Sequence, residues 1–281
     1  LSSDERLAFE ENLRVKMQTL EVQIAKERET TIIQKISIDS GIIEYKTSGE
    51  VPGNTLNQFS MDEYNGYFRI ATTTSGNGGF IPMGGGIVRT QTAIAETTDS
   101  KAAEKAVAPP QPTGPLNHVY VLDADMKIVG KLEDLASGER IYSVRFLSDK
   151  AYMVTFRQID PLFVIDLSVP EDPKVLGYLK IPGVSDYLHP YDETHVIGLG
   201  RDATDEGRIQ GMKLSLFDVS DFANPKEISK HIIGEQGTSS DALYDHKAFL
   251  FSREKNLLII PISEYSANWQ NYWQGAYVFN I

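Results

Sequence analysis

ERIYSVRFLSDKAYMVTFRQIDPLFVIDLSVPEDPKVLGYLKIPG, residues 139–183, decides the fold. Within it, IYSVRFL, AYMVTFR, LFVIDLS and KVLGYLKI are short runs rich in Val, Ile, Tyr and Phe. Turn formers divide them: Ser148-Asp149-Lys150, then Asp160-Pro161, then Pro170-Glu171-Asp172-Pro173. Runs this short, bounded by Pro, Asp and Gly, read as strands, and the gaps leave no room for a crossover helix. Four consecutive strands on tight turns make an antiparallel meander, with strands a, b, c and d in chain order.

The same unit recurs on both sides. Strand c ends on Asp166 in VID, Asp218 in LFD, Asp123 in VLD and Asp39 in SID. A glycine closes strand d downstream of each, at Gly183, Gly234, Gly138 and Gly53. DLSVPEDPK at 166–174 and DVSDFANPK at 218–226 place Pro173 and Pro225 at equal distances from their Asp. A period of about 45 residues with four strands per repeat is the mark of a β-propeller blade. The fold class is therefore all-β, a partial ring of about four blades.

The repeat divides the chain into a helix over 1–29, a partial blade over 30–53, blades over 54–138, 139–183 and 184–234, and a partial blade over 235–281. Ser2 with Glu5 fits a capping box at the helix start, and Phe9, Leu13, Met17, Leu20 and Ile24 form an apolar stripe. Such a stripe is expected to pack on the parent domain, with a partner helix as the sharper alternative. The partial first blade carries strands c and d and the last one a, b and c, so the two cannot merge. An arc of a larger ring is expected, with the missing blades in a longer parent or in another chain. Residues 75–116 begin with SGNGG and end with PPQPTGP, a composition that reads as an exposed, disordered insert between strands b and c. Polar connections at 203–211 and 263–275 occupy the equivalent corner, so one face of the disc gathers long loops, as a binding face does.

Composition narrows the function classes. The net charge of −12 argues against general nucleic-acid affinity, which needs a clustered basic face, and against docking on anionic lipid. With no cysteine among 281 residues there is no disulfide, thiol nucleophile or Cys-based metal site. No apolar run approaches the length of a membrane-spanning helix.

NQFSMDEYNGYFRIATTT, GERIYSVRFLSDKAYMVTFRQIDPLFVIDLS, LKIPGVSDYLHPYDETHVIGLG, MKLSLFDVSD and DHKAFLF resemble phrases of a prokaryotic, largely archaeal family. Its members are described as secreted proteins containing a C-terminal β-propeller domain. The resemblance covers roughly residues 30–281 and implies export, a cell-surface or extracellular location, and a longer parent with further blades upstream. It implies no activity that can be carried onto particular residues.

Strand a lines the central channel of a propeller, so its polar residues are the candidates for function. Tyr142 with Arg145, Tyr187 with His189, and Tyr244 with His246 occupy this strand in three blades. At a channel mouth they form a ring able to hold an anion or small ligand, with Arg145 as the carboxylate or phosphate clamp. The structural alternative is that they pair with neighbours and hold adjacent blades together. Trp269 and Trp273, in a polar b–c loop, suit a sugar-stacking or protein-binding platform or a plug for the blade edge. A metal site from His189, His246 and Asp245 or Asp192 lacks any short ligand spacing in the sequence. Calcium at Asp123 and Asp125, or in the turn Asp218–Asp221, competes with simple Asx turns. No cofactor or metal is assigned, and no catalytic motif is present. The expected role is an exported binding or scaffolding module that contacts protein or glycan through one-face loops and the channel mouth. The alternatives are a propeller hydrolase or lyase with a channel-mouth site, and a self-assembling surface subunit.

Overall fold

The computed structural model describes residues 2–75, 114–156, 160–204, 208–265 and 272–281. Most of the insert expected over 75–116, and Trp269, lie outside the described residues. The chain opens with a helix, α1 (Ser3–Arg28). Its capping box is made as the sequence predicts: Ser2 N–H donates to Glu5 Oε2 at 2.7 Å, and Glu5 N–H to Ser2 Oγ at 3.2 Å. The stripe does not pack as expected. Phe9, Leu13, Met17 and Leu20 are each at least 50% exposed, and the helix is held near its end. There Lys26 Nζ lies 2.9 Å from Asp134 Oδ1 and 3.4 Å from Glu133 Oε1. The helix thus meets the sheets through charge, and its apolar side faces outward. No helix among the described residues is long and apolar enough to cross a membrane.

Every strand then pairs antiparallel with its chain neighbour. A two-stranded sheet joins β1 (Thr30–Asp39) and β2 (Ile42–Pro52). Three four-stranded meanders follow: β3 (Met61–Tyr64), β4 (Tyr67–Thr74), β5 (Leu116–Leu122) and β6 (Ile128–Leu135); β7 (Arg140–Leu147), β8 (Lys150–Phe156), β9 (Asp160–Asp166) and β10 (Lys174–Ile181); β11 (Val184–Pro190), β12 (His195–Ala203), β13 (Ile209–Asp218) and β14 (Lys226–Ile233). A three-stranded sheet of β15 (Leu250–Ser252), β16 (Leu257–Tyr265) and β17 (Tyr272–Asn280) ends the series. These are propeller blades in an open arc.

The turn chemistry explains the register. Asn65-Gly66 joins β3 to β4 with φ of 52° and 81°, the left-handed pair that a type I′ hairpin needs. Asp123 Oδ1 accepts the N–H groups of Asp125 and Lys127, each at 2.9 Å, and Asp218 Oδ1 accepts that of Ser220 at 2.9 Å. The DAD and DVSD stretches therefore form Asx turns between strands c and d. Among the described residues no group of three or more His, Cys, Asp or Glu is placed to hold a metal ion.

The core is divided among the gaps between successive sheets. Val51 packs with Ile70, Tyr120, Leu122 and Met126; Val121 and Ala71 meet Val144, Phe146 and Met153; Val154 and Val164 meet Leu188 and Phe217; Leu199 and Met212 meet Phe249, Leu258 and Ile260. A central strand such as β8 is buried on both faces, so it reads as a continuous apolar run. The two end sheets each keep one face uncovered. On β1 and β2 the face carrying Ile38 (75% exposed) and Ile43 (72%) is open, as is the face of β15–β17 carrying Leu250 and Val278.

Candidate functional site at the inner strands

The first strands of neighbouring sheets lie side by side. β7 contacts β11 and the 3-10 turn Gln58–Ser60, and β11 contacts the 3-10 turn Asp241–Leu243. Strand a of the blade over 54–138 and of the last blade is thus partly helical, with 3-10 turns at Gln58–Ser60 and His246–Ala248 where the repeat would place a strand. The local cause is capping: Asn57 Oδ1 accepts Phe59 N–H at 2.9 Å, and Asp245 Oδ1 accepts Lys247 N–H at 3.0 Å. These caps turn the chain before β3 and β15 begin.

Of the candidate residues, Arg145, Tyr187, His189 and His246 come together around three rings that sequence reasoning passed over: Phe59, Phe249 and Phe251. The Arg145 guanidinium lies 4.4 Å from the Phe59 ring centre and 5.8 Å from that of Tyr187. Tyr187 packs 5.5 Å from Phe59 and 5.1 Å from Phe249. His189 lies 4.9 Å from Phe249 and 5.0 Å from Phe251, and Phe59 meets His246 edge-on at 5.0 Å. Gln58 Nε2 sits 3.4 Å and 3.3 Å from the two ring nitrogens of His246. No carboxylate among the described residues forms an ion pair with Arg145. Its charge is met by the aromatic faces of Phe59 and Tyr187.

Burial sets the protonation states. It lowers the Arg145 pKa and raises that of Tyr187, against the pull of the Arg145 charge. It also pushes His189 down to about 4, with the Arg145 charge adding to the effect. The Tyr187 hydroxyl lies 3.0 Å from His189 Nδ1, a hydrogen bond between a neutral phenol and a neutral imidazole within β11.

Tyr142 and Tyr244 do not join this cluster. β-Bulges decide the outcome: Ile141 pairs with Thr155 and Ser143 with Val154, which leaves Tyr142 as the extra residue. In the next sheet Ser185 pairs with Gly200 and Tyr187 with Leu199, which leaves Asp186 in the same role. Tyr142 packs edge-on to Phe156 at 5.5 Å, and Tyr244 is 80% exposed. Both belong to the electrostatic surroundings of a second group, the Arg201–Asp186 pair. Arg201 Nε and Nη2 donate to the two Asp186 oxygens at 3.0 Å and 2.5 Å. Burial raises the Asp186 pKa while Arg201 opposes the rise. This bidentate pair was legible only as two charged residues on adjacent strands. Trp273 is exposed on β17 and folds over its own strand, with its ring 5.5 Å from Tyr277 and against Gly275.

Two histidines, His118 buried and His189 half-buried, give the arc a pH response. His118 is fully buried, accepts Asp134 N–H on Nδ1 at 3.2 Å, and faces Thr74 Oγ1 at 3.1 Å through Nε2, so it is the neutral Nε2–H tautomer. Burial first, then the Lys26 charge, hold it at about 4 against an ordinary 6.5. A group lowered on folding stabilises fully above its unfolded pKa, and that stability is lost as pH falls toward the folded value. For His118 the loss between 6.5 and about 4 amounts to about 3 kcal/mol, and His189 adds a smaller loss in the same window. Urea unfolding at pH 7 and pH 4.5 is expected to show this drop, and His118→Gln to flatten it. An equal slope in the variant would remove His118 from the account.

Comparison with known proteins places the chain. A family model described as a beta propeller domain matches residues 2–281. An uncharacterized protein of Methanocaldococcus jannaschii is 41% identical over 256 residues, covering 91% of this chain and 33% of its own length. An uncharacterized protein of Archaeoglobus fulgidus is 39% identical over 264 residues, covering 94% of this chain and 35% of its own. The chain spans about a third of the length of these curated relatives.

Proposed function

We propose that this chain, which belongs to the β-propeller domain family, is an arc of an exported or cell-surface propeller that works by binding and scaffolding. One observation carries the reading. The channel-mouth groups are engaged with one another: Arg145, from residues 139–183, lies over Phe59 of the blade before it and over the Tyr187 ring of the blade after it. Side chains that staple three successive blades favour a rigid platform over a reactive constellation. The contact surfaces are then the b–c corner with Trp273 at the start of β17, and the channel mouth around His246, Gln58 and Tyr244, offered to a protein or a glycan. A second reading, assembly, draws support from the open faces of the end sheets, on which Ile38, Ile43, Leu250 and Val278 are exposed. Further blades of a longer polypeptide, or another chain, complete the arc through these faces.

Photo-crosslinking of the full-length protein in its native cells tests this. A crosslinker at Trp273 or Tyr244 is expected to trap an envelope protein or glycan, and surface protease is expected to cut the protein on intact cells. Protection from protease together with no adduct at either position would overturn the reading. One at Ile38 is expected to give an intramolecular or same-chain adduct, the signature of arc completion.

A further inference from the structure

We propose that a cleft between the first two four-stranded sheets is a saccharide-binding subsite. It lies on the face formed by the a–b and c–d turns, opposite the long b–c loops, and it stands apart from the channel mouth. The cleft holds about 370 Å³, and its polar lining is Tyr64, Asn65, Tyr67, Arg69, Asp149 and Ser168. Val121, Leu167 and Pro170 complete it with apolar surface. The volume falls at the small end of the range for ligand pockets, about 300–1,000 Å³.

Arg69 is the observation that points to a ligand. Its side chain is buried, Nη1 donates to Ser148 O at 2.5 Å, and Nη2 is bonded to Asp62. Its guanidinium lies 5.0 Å from the Tyr64 ring centre and 5.2 Å from that of Phe146. Nε is buried with no hydrogen-bond partner, one of two such side-chain atoms among the described residues. An orphaned donor beside the cleft is costly and marks this interface as one short of acceptors. At the rim, the Asn65 side chain makes no hydrogen bond among the described residues. The Ser168 N–H donates to Asp166 Oδ1 at 3.1 Å, and Asp149 is paired with Lys150 at 2.9 Å.

Charge and shape choose the class. Arg69 is balanced by Asp62, and Asp149 and Asp166 share Lys150, so the lining carries no net positive charge for an anion. A pyranose offers apolar C–H faces to tyrosine rings, and hydroxyls that both donate and accept. Those match a lining of two tyrosines, Val121 and Leu167, with an amide, a carboxylate and a hydroxyl beside them.

Saturation-transfer NMR and calorimetry on the full chain test the site, with methyl glycosides of mannose, glucose, galactose and N-acetylglucosamine as probes. At least one probe is expected to bind with millimolar affinity. Tyr64→Ala is expected to weaken it about 10-fold or more. Asn65→Gly, which keeps the turn geometry, is the second variant if Tyr64→Ala fails to fold, and is expected to weaken binding in the same direction. Arg14→Ala, on the exposed helix, is expected to leave it unchanged. Failure of every probe to bind, or equal binding by the folded Tyr64 and Asn65 variants, would overturn the proposal. Loss of binding in Trp273→Ala alone would assign the sugar to the loop face instead, supporting the proposed function and ending this one.

Discussion

Gly130→Ala is expected to destabilise the arc by about 3 kcal/mol, although the residue lies in an ordinary strand conformation. A Cβ on Gly130 would sit 1.9 Å from the Pro170 carbonyl oxygen in the c–d turn of the next sheet. That atom is backbone, so nothing cheap can move aside. The contact repeats along the arc: Gly49 of β2 meets Met126 O at 2.1 Å, and Gly177 of β10 meets Ala223 O at 2.5 Å. The outer strand of each of these sheets therefore lies against the next c–d turn at a distance only glycine allows. Where space exists, Gly→Ala stabilises by about 0.4–1 kcal/mol through the unfolded chain, so the sign alone is decisive. Thermal melting is expected to fall by roughly 6–12 °C for Gly130→Ala, by the scaling for chains of this size. An unchanged or raised midpoint would mean that the sheets are not in contact there.

The second large effect is expected at Lys213. This lysine on β13 is only 2% exposed. Its Nζ donates to Pro182 O at 2.8 Å and lies 3.6 Å from Glu227 Oε1, which also accepts the Ser215 hydroxyl at 2.6 Å. Lys213→Ala removes the stem, strands the Pro182 carbonyl and leaves a partly buried carboxylate without its cation. Breaking one side of such a pair costs about 3–5 kcal/mol. The double variant Lys213→Met, Glu227→Gln keeps the packing volume and deletes both charges, and is expected to recover most of that loss. Urea unfolding of the two variants separates charge from cavity. A loss below about 1 kcal/mol in Lys213→Ala would show that the pair is not desolvated as its burial implies.

Much of the site was partly legible. Arg145, Tyr187, His189 and His246 stand out in the sequence as strand-a positions, and they converge, although His246 lies in a 3-10 turn. Their partners Phe59, Phe249 and Phe251 were missed, because an aromatic residue near a strand reads as core. A signal was present in the matched caps Asn57 and Asp245, each opening a 3-10 turn ahead of β3 or β15. The glycines themselves recur, KIVGKLE and KVLGYLK carrying Gly130 and Gly177 at the same place in strand d, but what they touch does not show in the sequence. The helix stripe misled: periodicity reports that a face is apolar, and says nothing about what lies opposite it.

The sequence by itself determined the strands, their order and their antiparallel pairing, because these depend on local terms. Turn residues fix where the chain reverses, and short gaps force each strand beside the previous one. Only the tertiary structure decided which side chains meet. A bulge adds one residue and re-aims everything near it, and that is how Tyr142 left the channel cluster and Asp186 found Arg201. The packing of one sheet on the next decided the rest, from the Arg145 cap on Phe59 to the glycines under Pro170 and Ala223. Those contacts join residues tens of positions apart, so no local pattern in the chain encodes them.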